Sequence, residues 1–294
     1  MAHHHHHNHG STRNIKTAFF INLTFTVIEL IGGLMTNSLA ILSDALHDFG
    51  DSLSLGMSWY FERLSAKKRT QNFSYGYRRF SLLSALINSI ILIIGSVIIL
   101  TQAIPAIFNP GNPDEEGMLI IAILGVIFNG LAFFKLESGH SLNERVVRLH
   151  LLEDLLGWVA VLIASIIMNF FEVPVLDPIL SVAIAIFIAF NAVKNLISSL
   201  RILLQAVPEE VQIKELENLI SGIEGVKSVH DTHIWTLDGK YNILTIHLVV
   251  EKNMSMKETI KIKQEARKLA KEQQIQHATL EIGLEGEPCE LENC

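Results

Sequence analysis

The stretch FSLLSALINSIILIIGSVIILTQAIPAIF, residues 80–108, contains no charged side chain. As a helix rising 1.5 Å per residue it outreaches a hydrocarbon core of about 30 Å. A second uncharged block, Met118–Phe134, follows shortly after it. The alternative, buried helices of a large soluble core, is opposed by the recurrence of such runs through the N-terminal two-thirds of the chain. Composition agrees: 49% of the 294 residues are hydrophobic and only 18% are charged, too apolar for an ordinary soluble domain.

Working outward from residue 80, six membrane spans are expected, at about 16–34, 39–60, 80–103, 118–136, 145–169 and 175–194. Turn-forming segments separate them, such as MTNS at 35–38 and NPGNPDEE at 109–116. Arg63, Lys67, Lys68, Arg69, Arg78 and Arg79 crowd the connection between the second and third spans. Lys135, Arg145 and Arg148 flank the one between the fourth and fifth, whereas 35–38, 104–117 and 170–175 hold no Lys or Arg. The positive-inside rule makes the basic loops cytoplasmic, and an even number of spans puts both termini there too.

After Pro208 the pattern becomes that of a soluble domain. Helical periodicity at 211–223, strand-like runs at 226–236 and 241–251 around an Asp238-Gly239 turn, an amphipathic helix at 255–273 and a last strand at 278–284 give the order αββαβ. That order suggests a small ferredoxin-like α+β domain. The expected divisions are a His-rich tail at 1–14, a six-helix transmembrane domain at 15–205, a cytoplasmic domain at 206–286 and a Cys-containing tail at 287–294. His3–His7 read equally as an expression tag or a native metal-collecting tail. Cys289 and Cys294, the two cysteines, exclude a disulfide framework and read either as metal-capturing or as mobile thiols. No cleavable signal peptide is visible. The formal net charge of −7 gives no sign of a nucleic-acid partner.

Ionisable groups within membrane spans are costly and mark function. The second span contains SDALHDFGD, residues 43–51. At 100° per residue Asp44, His47, Asp48 and Asp51 fall within about 100° of arc on one helix face. The fifth span contains HLLED, residues 150–154, placing His150 and Asp154 one turn apart. Two His-x-x-x-Asp pairs on two membrane helices supply two imidazoles and two carboxylates, a four-coordinate set suited to zinc. The competing reading is a pair of buried His–Asp hydrogen bonds tying helices together; its duplication inside the membrane favours metal. Asp44, Asp48 and Glu153 remain as carboxylates that support the ligands or line the way in, with simple solvation the alternative for Asp44 and Asp48. Glu29 is a lone acid in the first span. Asn88, Asn129 and Gly130 are assigned to helix packing.

The segments SLAILSDALHDFGDSLSL (38–55), FSYGYRRFSLLSALIN (73–88) and HLLEDLLGWVAVL (150–162) resemble the zinc-type members of the cation diffusion facilitator family. The resemblance runs from about residue 15 to 284 and includes VHDTHIW at 229–235. It implies six spans, a ferredoxin-like cytoplasmic domain, a homodimer, and export of divalent metal in exchange for protons. It puts the transport site on His47, Asp51, His150 and Asp154. It also matches His230 and His247 to positions that bind a regulatory metal, with Glu281 or Glu285 completing the shell; strand histidines that are merely hydrogen-bonded are the alternative. A further His-and-Asp site of some members is expected to be absent, since the loop at 62–79 has neither residue. Zn2+ is thus both the expected cargo and a candidate regulatory ion, and a bacterial plasma membrane is the expected location. A membrane metal sensor and an intramembrane metalloenzyme are the other classes considered. The first has no attached output domain, and the second lacks a His-Glu-x-x-His helix.

Overall fold

The computed structural model describes residues 9–65, 67, 69–135, 142–171 and 173–288. Six long helices come first: α1 (His9–Thr36), α2 (Leu39–Ser65), α3 (Phe80–Phe108), α4 (Glu115–Lys135), α5 (Leu142–Phe171) and α6 (Leu176–Leu203). Most run past the expected ends, because a helix leaving the hydrocarbon continues through interfacial residues such as Lys194 and Arg201. The expected stop at Ala103 is overrun for a different reason. Pro105 lies inside α3, and the helix continues to Phe108, since a membrane helix can absorb the one N–H that proline lacks.

α1, α3, α4, α5 and α6 each contain a segment long and apolar enough to cross a membrane. α2 is equally long, but Asp44, His47, Asp48 and Asp51 lower its hydropathy. The first six helices bury many polar groups and expose many apolar ones. Glu29, Ser38, Ser43, Asp44, Asp48 and Asp177 are buried, while Ile94, Phe134, Phe170 and Phe190 are exposed. That inversion fits a lipid surround, where apolar side chains face the solvent and polar groups must find one another.

Small residues bring these helices together. A Cβ at Gly125 of α4 would overlap the indole of Trp158 on α5. Trp158 is fully buried, and Phe25 of α1 packs edge-on against it while stacking on Phe128 at 4.5 Å. Gly50 of α2 admits Leu92 of α3, and Gly95 of α3 admits Leu46 of α2.

The chain divides into two compact units, one comprising the residues up to Arg63 together with Ser84–Leu196, the other Leu64–Leu83 together with the chain from Ile197 onward. The second contains α7 (Ile213–Ser221), β1 (Val226–Thr236), β2 (Asn242–Val250), α8 (Met256–Glu272) and β3 (Ile275–Leu284), the expected αββαβ order. β1 pairs antiparallel with β2, and β2 pairs parallel with β3, the parallel step being made possible by the α8 crossover. Alternate residues Leu244, Ile246, Leu248 and Val250 of β2 join Leu216, Ile220, Ile262 and Ala266 in one apolar core. The expected Asp238-Gly239 turn forms: Gly239 has φ +81° and Asp238 Oδ1 accepts from the N–H groups of Lys240 and Tyr241 at 3.0 and 2.8 Å. α8 begins with a reciprocal cap between Ser255 and Glu258. The Ser255 hydroxyl, then its backbone N–H, holds the Glu258 carboxyl below its usual range. Within the same unit Arg78 reaches Asp238 at 3.4 Å and lies 4.3 Å over the Tyr241 ring. Arg78, one of the basic residues that crowd this loop, thereby ties the 64–83 loop to the β1–β2 turn.

Candidate metal site

Helix spacing places His47 and Asp51 on one face of α2, and α5 carries Asp154 up to them. His47 Nε2 lies 3.5 Å from Asp154 Oδ1 and 3.9 Å from Asp51 Oδ2. One ligand atom from each of the three residues lies within 4.8 Å of the others, and among the described residues this is the one such group. Both separations exceed the usual 2.7–3.2 Å of an N–H···O hydrogen bond. A tetrahedron whose ligands stand about 2.0 Å from a central ion has an edge of roughly 3.3 Å; the His47–Asp154 separation approaches it and the His47–Asp51 separation is longer. His150 lies on α5 one turn before Asp154; its side chain is outside the described residues.

Asp44 and Asp48 are 6% and 5% exposed, so burial rather than solvation describes them. The Asp44 carboxylate faces α5: a Cβ at Gly157 would come to 3.5 Å from Asp44 Oδ1. Glu29 of α1 is fully buried. Asn22 donates to the Asp48 carbonyl at 3.1 Å and to Ser52 Oγ at 3.0 Å, binding α1 to the outer turn of the site. Glu153 is exposed, on another face of α5 from Asp154. Several carboxyl groups around the His47 imidazole present oxygen and nitrogen donors, a set that suits a divalent cation and not an anion.

The cytoplasmic-domain residues are arranged by sheet register. His230 pairs with His247 across β1–β2, and His247 with Glu281 across β2–β3. The two imidazoles lie 4.5 Å apart, centroid to centroid. A bulge between His230 and His233, with Asp231 at φ +49°, inserts one extra residue into β1. His233 therefore pairs with Thr245 and shares the His230 face, despite an odd spacing that in a regular strand would oppose them. His233 meets Asp231 at 2.8 Å. Glu285 lies beyond β3, its N–H donating to the Val250 carbonyl at 2.9 Å, four positions past the rung of Glu281.

Two residues near His247 went unnoticed in the sequence. A Cβ at Gly283 would stand 2.8 Å from His247 Nε2 and 3.7 Å from Glu287 Oε2. Glu287 folds back because Gly286 adopts φ +84°, and its carboxylate accepts from the Leu284 N–H at 2.9 Å. Gly283 thus leaves the space that the imidazole occupies. The signal, a glycine two residues from Glu281 in a strand, is legible only once β3 is paired with β2. His3–His7, Cys289 and Cys294 lie outside the described residues.

Residues 15–204 match a family described as the cation efflux transmembrane domain, and residues 208–282 match the cytoplasmic domain of cation efflux proteins. A Bacillus subtilis protein named as a cadmium, cobalt and zinc/H(+)-K(+) antiporter is 35% identical over 95% of this chain and 91% of its own. The metal cation efflux system protein CzcD of Cupriavidus metallidurans is 34% identical over 96% of this chain and 89% of its own. The zinc transporter ZitB of Escherichia coli is 31% identical over 97% and 90%.

Proposed function

The chain belongs to the cation efflux family, a divalent-metal exporter rather than an enzyme, and on that footing we propose that it is a secondary active transporter that moves Zn2+, or a similar divalent cation, out of the cytoplasm in exchange for H+. The observation that carries this reading is the meeting of His47, Asp51 and Asp154 within 4.8 Å on two membrane helices. His150 is the fourth ligand in this proposal. Imidazole nitrogen and carboxylate oxygen suit zinc and its neighbours in the first transition row.

Proton coupling follows from the ligand chemistry. Imidazole binds metal only when neutral, and its ordinary pKa of about 6.5 lets protons compete near neutrality. The more acidic side of the membrane then favours release, so a proton gradient drives export. A relative named for exchange with H+ supports the same coupling. The proposal extends to a homodimer in the bacterial inner membrane with both termini in the cytoplasm, a transmembrane domain at 15–205 and a cytoplasmic domain at 206–286. A regulatory ion would be held in the latter by His230, His247, Glu281 and Glu285, with Glu287 as a further carboxylate near His247.

The test is zinc flux into proteoliposomes under an imposed pH gradient, comparing wild type with Asp51→Ala. Gradient-dependent flux in the wild type, lost in a folded Asp51→Ala, is the expected result. Equal flux in both would remove the site; flux indifferent to the gradient would remove the antiport.

A further inference from the structure

We propose that Asp177 is a positioning residue for transport: by clamping the first turn of α2 it sets the level at which His47 and Asp51 meet Asp154. The inference rests on the transport-site reading above and deepens it.

Asp177 opens α6 and is 2% exposed. Its Oδ1 accepts from the Ser38 hydroxyl at 2.5 Å and from the Ala40 N–H at 3.1 Å, while Oδ2 accepts from the Leu39 N–H at 2.9 Å. The first N–H groups of any helix lack acceptors within that helix. Ser38, preceding α2, satisfies one of them itself, taking the Ile41 N–H at 3.2 Å. Two others are taken by a carboxylate from a helix 137 and 138 residues away in sequence. A negative group is also electrostatically favoured at that end of α2.

The clamp continues one turn further. Ser181 of α6 donates to the Leu39 carbonyl at 3.0 Å, and the Ser43 and Ser181 hydroxyls meet at 2.7 Å. Ser43, His47 and Asp51 succeed one another at intervals of four residues, so the clamped ridge of α2 is the ridge that leads to the ligands. A hydrogen-bonded helix is stiff over this length. The register fixed at Ser38–Ser43 is therefore transmitted to His47 and Asp51 as a rigid offset. Metal sites accept deviations of only about 0.2 Å in ligand distance, whereas sliding a helix by one residue moves its side chains by about 1.5 Å. α6 contributes no ligand of its own, and its N-terminal acid acts on the ion only through α2.

The experiment measures zinc flux in proteoliposomes against zinc concentration, normalised to folded protein, for wild type, Asp177→Ala, Asp177→Asn and Asp51→Ala. Asp177→Ala should raise the half-saturating zinc concentration by roughly 10–100-fold, the usual loss when groups that orient metal ligands are removed. Asp177→Asn keeps one carbonyl acceptor for Ser38 and Ala40 and should show a smaller rise. A group that only held the bundle together would lower the maximal rate and leave half-saturation unchanged, and that pattern overturns the proposal. Should Asp177→Ala fail to fold, Asp177→Asn decides on the same criterion: wild-type half-saturation rejects the positioning role. Asp51→Ala separates the two levels. Wild-type flux in that variant rejects the transport site itself, whereas a dead Asp51→Ala beside unshifted Asp177 variants rejects only the clamp.

Discussion

His47 stands among acidic neighbours in the helical bundle, His247 beside an imidazole and an acidic rung in the αββαβ domain, and the two are assembled by opposite means. In the bundle, one helix supplies His47 and Asp51 through a local spacing of four residues, and a single packing event brings Asp154 to 3.5 Å. In the domain, His230 and His247 are brought together by hairpin register, 4.5 Å apart, and His233 joins their face only through a bulge at Asp231. The surroundings differ as well. A buried acid in lipid has few ways to be tolerated, so its presence points to a purpose. A strand histidine in a water-surrounded domain has many, and its proximity to another histidine carries less information.

The sharpest way to break this comparison is to truncate both imidazoles. His47→Ala should cut proteoliposome zinc flux roughly 100-fold or more, above the loss from groups that only orient ligands. His247→Ala should leave flux at saturating zinc within a few-fold of wild type and alter only its dependence on cytoplasmic metal. The reverse ranking would show that the domain, not the bundle, holds the transported ion. His47→Asp tests the chemistry rather than the presence of the ligand: an all-oxygen tendency should shift selectivity towards manganese or cadmium, read from competition flux assays, and unchanged selectivity would remove the assigned role of the imidazole. Gly125→Ala attacks the packing that seats α5. Its Cβ meets the Trp158 indole, four residues past Asp154, and overpacking of this kind costs about 1–3 kcal/mol. A lowered thermal midpoint in detergent, with reduced flux, is expected. Smallest is Gly283→Ala, which crowds His247 Nε2; zinc binding by the cytoplasmic site should weaken while maximal flux persists, and undiminished binding would separate His247 from that site.

Much of the fold was legible because lipid simplifies the code. Uncharged runs of sufficient length announce helices. The αββαβ order followed from periodicity and the Asp238-Gly239 turn. Three residues that meet in the bundle, His47, Asp51 and Asp154, were readable because helical spacing is local and each sits where an ionisable group stands out. The solvation alternative for Asp44 and Asp48 could not be resolved that way, since burial depends on which helix packs over them, and Gly157 of α5 lies against Asp44.

By itself, then, the sequence determined the solvent, the number and order of elements, and the helical faces that carry ligand chemistry, because these depend on composition and on periods of a few residues. Tertiary structure alone decided that Asp177 would cap α2, that Arg78 would tie its loop to Asp238, and that Gly283 and Glu287 would attend His247. Each of these is a meeting of residues far apart in the chain, and no spacing rule foretells it. The energy that selects such meetings lies in satisfying buried donors and filling space, and both are properties of the assembled fold.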